Sequence, residues 1–195
     1  MINRTTLENF LDIYNKNQKI KINEATEFMK IAHGNQKRDS GEPYWYHPIH
    51  VAFFTSRIIT DANTIIAALL HDTVEDTYVT CEEIEQNFGK NVASIVHALT
   101  KYNLIDNKKS KLSKEEYMQK LFCNDQDIKV LVIKLADRLH NIQTIHFIEC
   151  PDRRNRIIEQ TQKFFIPLAK KLGLFEYAYL LHYYCSDVHK KKYNA

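Results

Sequence analysis

Apolar residues recur along this chain at three- and four-residue intervals, which predicts helices over most of its length. Residues 6–16 and 22–33 show the pattern first, the second with Ala25, Phe28, Met29 and Ala32. "RDSGEPYWYHP", Arg38 to Pro48, interrupts it. Gly41 and Pro43 make this a turn-rich loop, and Pro48 suits the first turn of the next helix. "PIHVAFFTSRII" and "DANTIIAALLHDTVED" read as two helices, the second capped by Thr60 or Asp61. "TCEEIEQNFG" offers a capping box, Thr80 with Glu83, and ends on Gly89, where helices commonly stop. "KNVASIVHALTKY" is another helix, residues 103–112 are a polar connection, and a short helix follows Ser113. The segment "KVLVIKL" alone has the look of a buried strand. Its pattern continues at helical period through Leu135, Leu139, Ile142 and Ile145, so "DIKVLVIKLADRLHNIQTIHFI" is read as one long helix. Two more cover about Arg153–Lys171 and Leu174–Lys190. The fold expected is all-α, with nine or ten helices and no strand. With no repeat and no low-complexity linker, residues 1–195 are taken as a single domain.

Composition supports this and narrows the partners. Four glycines and four prolines are too few for the frequent turns of a β-sandwich. A net charge of +3 does not imply nucleic-acid binding, and the runs Lys108-Lys109 with Lys111 and Lys190–Lys192 read as solvated loop and terminus. The four cysteines lie far apart without CxxC spacing, which suggests neither a zinc knuckle nor a disulfide framework and fits a reducing cytoplasm. The amino terminus lacks the apolar core of a signal peptide, and no run approaches the ~18 apolar residues of a membrane span. The expectation is a cytoplasmic protein with no membrane and no nucleic-acid partner.

The chemistry concentrates in "AALLHDTVEDT". Four apolar residues lead into His71-Asp72, and Glu75-Asp76 follow one turn later. On a helix, His71 and Glu75 stack along one strip and Asp72 and Asp76 along the next. Carboxylates held this close raise one another's pKa unless a cation neutralises them, and a divalent metal is the obvious candidate. Asp137 interrupts an otherwise apolar helix, where an unpaired carboxylate is costly. His47 sits where a loop meets a helix. Imidazoles and carboxylates without thiolate suit manganese, iron or another hard-to-borderline ion better than structural zinc. Open positions on such an ion make a hydrolase site, in which Glu75 and Asp76 orient or deprotonate the water. Each residue also has a plainer role: Asp137 as ion-pair partner of Arg138, His47 as a turn cap. His50, His97, His140 and His146 are left as structural.

The order His, His-Asp, Asp across three segments is the signature of the HD superfamily. "AHGNQKRDSGEPYWYHPIHVA", "AALLHDTVEDT", "EEIEQNFGKNVASIVHALTK" and "KLADRLHNIQT" together resemble the hydrolase domain of the RelA/SpoT family over about Ala25–Leu172. That resemblance implies an HD-domain helical bundle that removes the 3′-pyrophosphate of ppGpp and pppGpp. It places His47, His71, Asp72 and Asp137 on the metal ligands, with manganese as the ion, and Glu75 and Asp76 on the pair that handles the attacking water. It places Arg38 against the guanine base and Asn141 on the nucleotide, and Lys101 and Lys134 are assigned to offset phosphate charge. Only a short tail follows Lys171, too short for the family's synthetase domain, so a stand-alone small alarmone hydrolase is expected.

Two residues depart from the family pattern. Asp39 stands where many relatives carry a basic residue, and Gln143 where an arginine is common. Less positive charge beside an anionic ligand motivates a second enzymatic expectation, hydrolysis of another nucleotide such as the 2′-phosphate of NADPH or a pyrophosphorylated adenine nucleotide. A nucleotide-binding regulator without catalysis is the non-enzymatic alternative, but it would be expected to have lost a ligand or Glu75-Asp76, and none is lost. The oligomeric state does not follow from the sequence.

Overall fold

The computed structural model describes residues 10–100, 102–105, 108–111, 116 and 127–191, and it is all-α apart from one short hairpin. Two compact units can be separated. The first holds the chain up to Gln36 together with Tyr44–Lys134, and the second holds Lys37–Pro43 with the chain from Leu135 onward. The division falls inside an unbroken helix, so no change of composition marks it.

In the first unit, helix α1 (Lys16–His33) starts from a reciprocal cap. The Asn15 side chain accepts from the Gln18 amide at 3.0 Å, and the Gln18 side chain accepts from the Asn15 amide at 3.1 Å. Ile22, Ala25, Met29 and His33 form its buried stripe, and Gly34 ends it at φ 49°. The expected helix over 6–16 is corrected here, because Phe10–Ile13 form only a 3₁₀ turn. The cap at Asn15 starts a separate helix, so a period read across it had no helix to follow.

Helix α2 (Tyr46–Ser56) buries His47, Val51 and Thr55 along one face. Helix α3 (Ala62–Leu70) is capped by Asp61, which accepts from the Thr64 amide at 3.1 Å and its hydroxyl at 2.7 Å. All seven residues from Thr64 to Leu70 are buried, as befits a helix packed against α1, α2 and helix α6 (Lys90–Leu99). The expected helix 61–76 is in fact two pieces, since α3 ends at Leu70 and a single turn, α4 (Thr73–Asp76), follows. Helix α5 (Cys81–Phe88) has the capping box read from the sequence, Thr80 with Glu83, and stops at Gly89 with φ 89°.

The connection expected as polar loop contains antiparallel strands β1 (Tyr102–Ile105) and β2 (Lys108–Lys111), paired from Tyr102 with Lys111 to Ile105 with Lys108. Alternation is weak in "YNLI" and absent in "KKSK", which is why no strand was expected there. The short helix expected after Ser113 lies outside the described residues, apart from Glu116.

Helix α7 (Ile128–Gln143) bears out the helical reading of "KVLVIKLADRLHN", but the single long helix expected through Ile148 stops at Gln143, and Ile145–Phe147 form a 3₁₀ turn. In the second unit, α8 (Pro151–Gln160) passes through a π-helical turn at Thr161–Phe165 into α9 (Ile166–Lys171). Pro167 lacks an N–H for the carbonyl four residues back and its ring crowds it, and the wider π turn lets the helix continue. Helix α10 (Phe175–Lys191) packs against α9. Among the described residues no helix is long and apolar enough to cross a membrane.

Candidate metal centre

In the first unit, the buried run of α3 delivers His71 and Asp72 at its end. Both keep right-handed backbone angles (φ −57°, ψ −33° and φ −99°, ψ −9°), and the Asp76 amide donates to the Asp72 carbonyl at 2.9 Å. The winding therefore persists across the break, and Asp72 and Asp76 stay on one side as the sequence suggested.

His71 Nδ1 lies 2.8 Å from the Ala68 carbonyl oxygen. That oxygen can only accept, so Nδ1 carries the proton and the lone pair of a neutral ring sits on Nε2. His71 Nε2 is 3.1 Å from Asp72 Oδ2, and His47 Nε2 is 3.5 Å from the same oxygen. The two rings meet edge to face at 5.3 Å between centroids, both buried, while Asp72 is 13% exposed. Burial pushes the Asp72 carboxyl upward, but the imidazoles of His71 and His47 outweigh it and hold the group well below the usual carboxylate range. A lone pair facing an anionic oxygen calls for a positive charge between them, either a proton or a metal ion. This donor set fits a divalent cation on its own chemistry.

Tyr44 lies in the loop motif, where nothing in the sequence marks it as a site residue apart from its place before His47. Its hydroxyl lies 2.7 Å from Asp72 Oδ2 and 3.2 Å from Asp76 Oδ2. A phenol just before the His47 ligand candidate was the available signal. Glu75 is half-buried and Asp76 exposed.

The second unit holds a separate chain of contacts. Asp137, 7% exposed on α7, accepts from Asn141 Nδ2 at 2.5 Å, one helical turn on. Asn141 Oδ1 accepts from Arg38 Nη2 at 3.0 Å, and Arg38 also reaches the Thr144 hydroxyl at 3.2 Å. An acceptor on one side and a donor on the other fix the orientation of the Asn141 amide. Thr144 carried no sequence signal beyond its spacing. Asp39, beside Arg38, accepts from Arg153 Nη1 at 3.0 Å. Arg138 lies over the Phe165 ring at 4.3 Å. Lys134, on the part of α7 that belongs to the first unit, is buried at 6% exposure, and Lys101 lies outside the described residues.

A family model described as "HD domain" matches residues 25–175. The chain belongs to the HD domain family. The match covers nearly the stretch that the motifs picked out. The HD domain is 40% identical over 169 residues to the guanosine-3′,5′-bis(diphosphate) 3′-pyrophosphohydrolase of Aquifex aeolicus, covering 87% of this chain and 24% of that protein. It is 39% identical over 171 residues to the bifunctional (p)ppGpp synthase/hydrolase SpoT of Escherichia coli K12, with the same coverage. It is 42% identical over 154 residues to GTP pyrophosphokinase rsh of Brucella suis, covering 78% and 20%. These relatives bear out the RelA/SpoT resemblance, although the chain spans only a fifth to a quarter of their length. Among solved structures, a metazoan ortholog of SpoT, described as hydrolysing ppGpp and acting in starvation responses, superposes with a TM-score of 0.61. That match is 25% identical and covers 88% of this chain and 95% of the other.

Proposed function

We propose that this HD domain is a manganese-dependent (p)ppGpp 3′-pyrophosphohydrolase of the cytoplasm, cleaving ppGpp to GDP and pyrophosphate and pppGpp to GTP and pyrophosphate. The ion is held by His47, His71, Asp72 and Asp137. The observation that carries the reading is the pair of imidazole nitrogens directed at one Asp72 oxygen, with the His71 tautomer set by the Ala68 carbonyl. Support also comes from the relatives named as ppGpp hydrolases. A bound divalent ion lowers the pKa of its water and polarises a phosphoryl oxygen. Glu75 and Asp76 orient the attacking water and take its proton, Arg38 packs on the guanine, and Asn141 contacts the nucleotide. Lys101 and Lys134 offset phosphate charge. A nucleotide is the partner in this reading, and neither nucleic acid nor membrane is.

A second substrate, a nucleotide of lower charge, is favoured by the pairing of Asp39 with Arg153, which leaves the loop beside Arg38 without the extra positive charge of a basic residue at position 39. The test is pyrophosphate and phosphate release with manganese from ppGpp, pppGpp, the adenine analogue and NADPH, each with a chelator control. Chelator-sensitive pyrophosphate release fastest from the guanine alarmones is expected. Faster turnover of another nucleotide moves the substrate assignment, and no release from any overturns the activity.

A further inference from the structure

Asp76 is gripped at both ends by residues outside its own helix. Helix α4 is a single turn, and an isolated turn does not hold its conformation in water. The Gln36 side-chain amide donates to the Asp76 carbonyl at 2.7 Å, and the Tyr44 hydroxyl reaches Asp76 Oδ2 at 3.2 Å while bonded to Asp72 Oδ2 at 2.7 Å. Gln36 is itself tied in place. Its side-chain oxygen accepts from His33 Nδ1 at 2.9 Å, and its backbone carbonyl accepts from the Tyr44 amide at 2.9 Å. The His33 ring is buried and carries the Tyr44 ring on its face, with centroids 4.6 Å apart and planes 31° apart. The other face of the clamp is an edge contact of Tyr44 with His47 at 5.8 Å.

A phenol has one proton for two carboxylates here, so it bonds the nearer, Asp72, and shares the same proton with Asp76 in a longer, weaker branch of a bifurcated bond. Gln36 and Asp76 are exposed, so their bond competes with water, and the buried His33 is what anchors it.

We infer that Tyr44 and Gln36, anchored by His33, are positioning residues that hold the Asp76 carboxylate in register with Asp72 for the hydrolytic step. The catalytic part of this inference rests on the hydrolase reading above, whereas the clamp itself does not. Neither residue needs to touch the substrate.

Two measurements on the full chain separate these parts. In the metal-free protein, hydrogen exchange is followed at the Asp76 and Thr77 amides, which are bonded to the Asp72 and Thr73 carbonyls at 2.9 and 3.1 Å. Exchange there is expected to quicken on the order of tenfold in Tyr44→Phe and in Gln36→Ala while α3 amides keep their protection, which also shows that the variants fold. In the manganese-loaded protein, kcat is expected to fall about 10- to 100-fold with KM within about twofold of the wild type, because misplacing a reactive group costs turnover rather than binding. Unchanged exchange at both amides overturns the clamp. Faster exchange with unchanged kcat overturns its catalytic role. A wild-type chain inert toward every nucleotide overturns the hydrolase reading and the catalytic role with it, and the exchange data then still decide whether the clamp exists.

Discussion

His71 directs Nε2 at Asp72 Oδ2 across 3.1 Å while its Nδ1–H is held by the Ala68 carbonyl at 2.8 Å. The ring cannot rotate to present its other nitrogen without breaking that bond, so the donor is set before any ion arrives. Manganese is therefore expected to raise the melting temperature of the wild type and to leave that of Asp72→Ala unmoved, each compared with its own metal-free melt. An equal manganese shift in the variant removes Asp72 from the ligand set. Turnover should be lost in the same variant.

Asn141 bridges Arg38 and the buried carboxylate of Asp137. Groups that orient a ligand are worth about 10- to 100-fold in metal affinity when removed. Calorimetric titration of Asn141→Ala with manganese should show a loss in that range. Asn141→Asp tests the geometry separately, because it keeps the size but sets a second carboxylate against Asp137. An affinity equal to wild type in Asn141→Ala removes Asn141 from the support of the metal.

Burial, the largest influence on His33, holds its imidazole below the ordinary value of 6.5, against the opposing pull of the Gln36 bond and of Asp72 and Asp76. The folded chain thus takes up this proton less readily than the unfolded chain. Stability from this group is complete above 6.5 and declines as pH falls from there toward the folded value. Urea unfolding of metal-free protein should show a steeper loss below 6.5 in the wild type than in His33→Gln. Parallel profiles for the two would show that His33 is not the group responsible.

Leu69 is 1% exposed in the all-buried run of α3. Truncation to alanine there leaves a cavity in the layer that carries His71, and about 2–5 kcal/mol of stability should be lost in denaturant unfolding. A cost near zero would mean that neighbouring helices collapse into the space.

The helices and the candidate site were readable from different features. Periodicity was enough to place α3 and α7, whose apolar faces are continuous, but not to mark where they stop, and the Thr80–Glu83 box marked the start of α5. It failed at Asn15, where the local cap outweighs an apolar pattern that runs past it, and at residues 102–111, where backbone pairing forms a hairpin without an alternating face. His47, His71 and Asp72 were legible because polar groups at the ends of buried faces need a reason. Gln36, Tyr44 and Thr144 were not, because their roles depend on hydrogen bonds across 40, 28 and 106 residues that no local spacing records.

Asp39 and Arg153 form a half-exposed pair at 3.0 Å, with side chains 42% and 48% accessible. Such a pair contributes about 0–1 kcal/mol to stability, so its importance lies in charge rather than in folding. Arg153→Ala leaves an uncompensated carboxylate beside Arg38, the residue assigned to the guanine base. Its KM for ppGpp should rise, the rise should shrink as salt screens the charge, and thermal stability should barely change. Asp39→Lys should act in the opposite direction, lowering KM for ppGpp more than for NADPH. If both substitutions leave both KM values unchanged at low salt, the acidic residue at position 39 has no bearing on substrate choice, and selectivity must be sought elsewhere in the site.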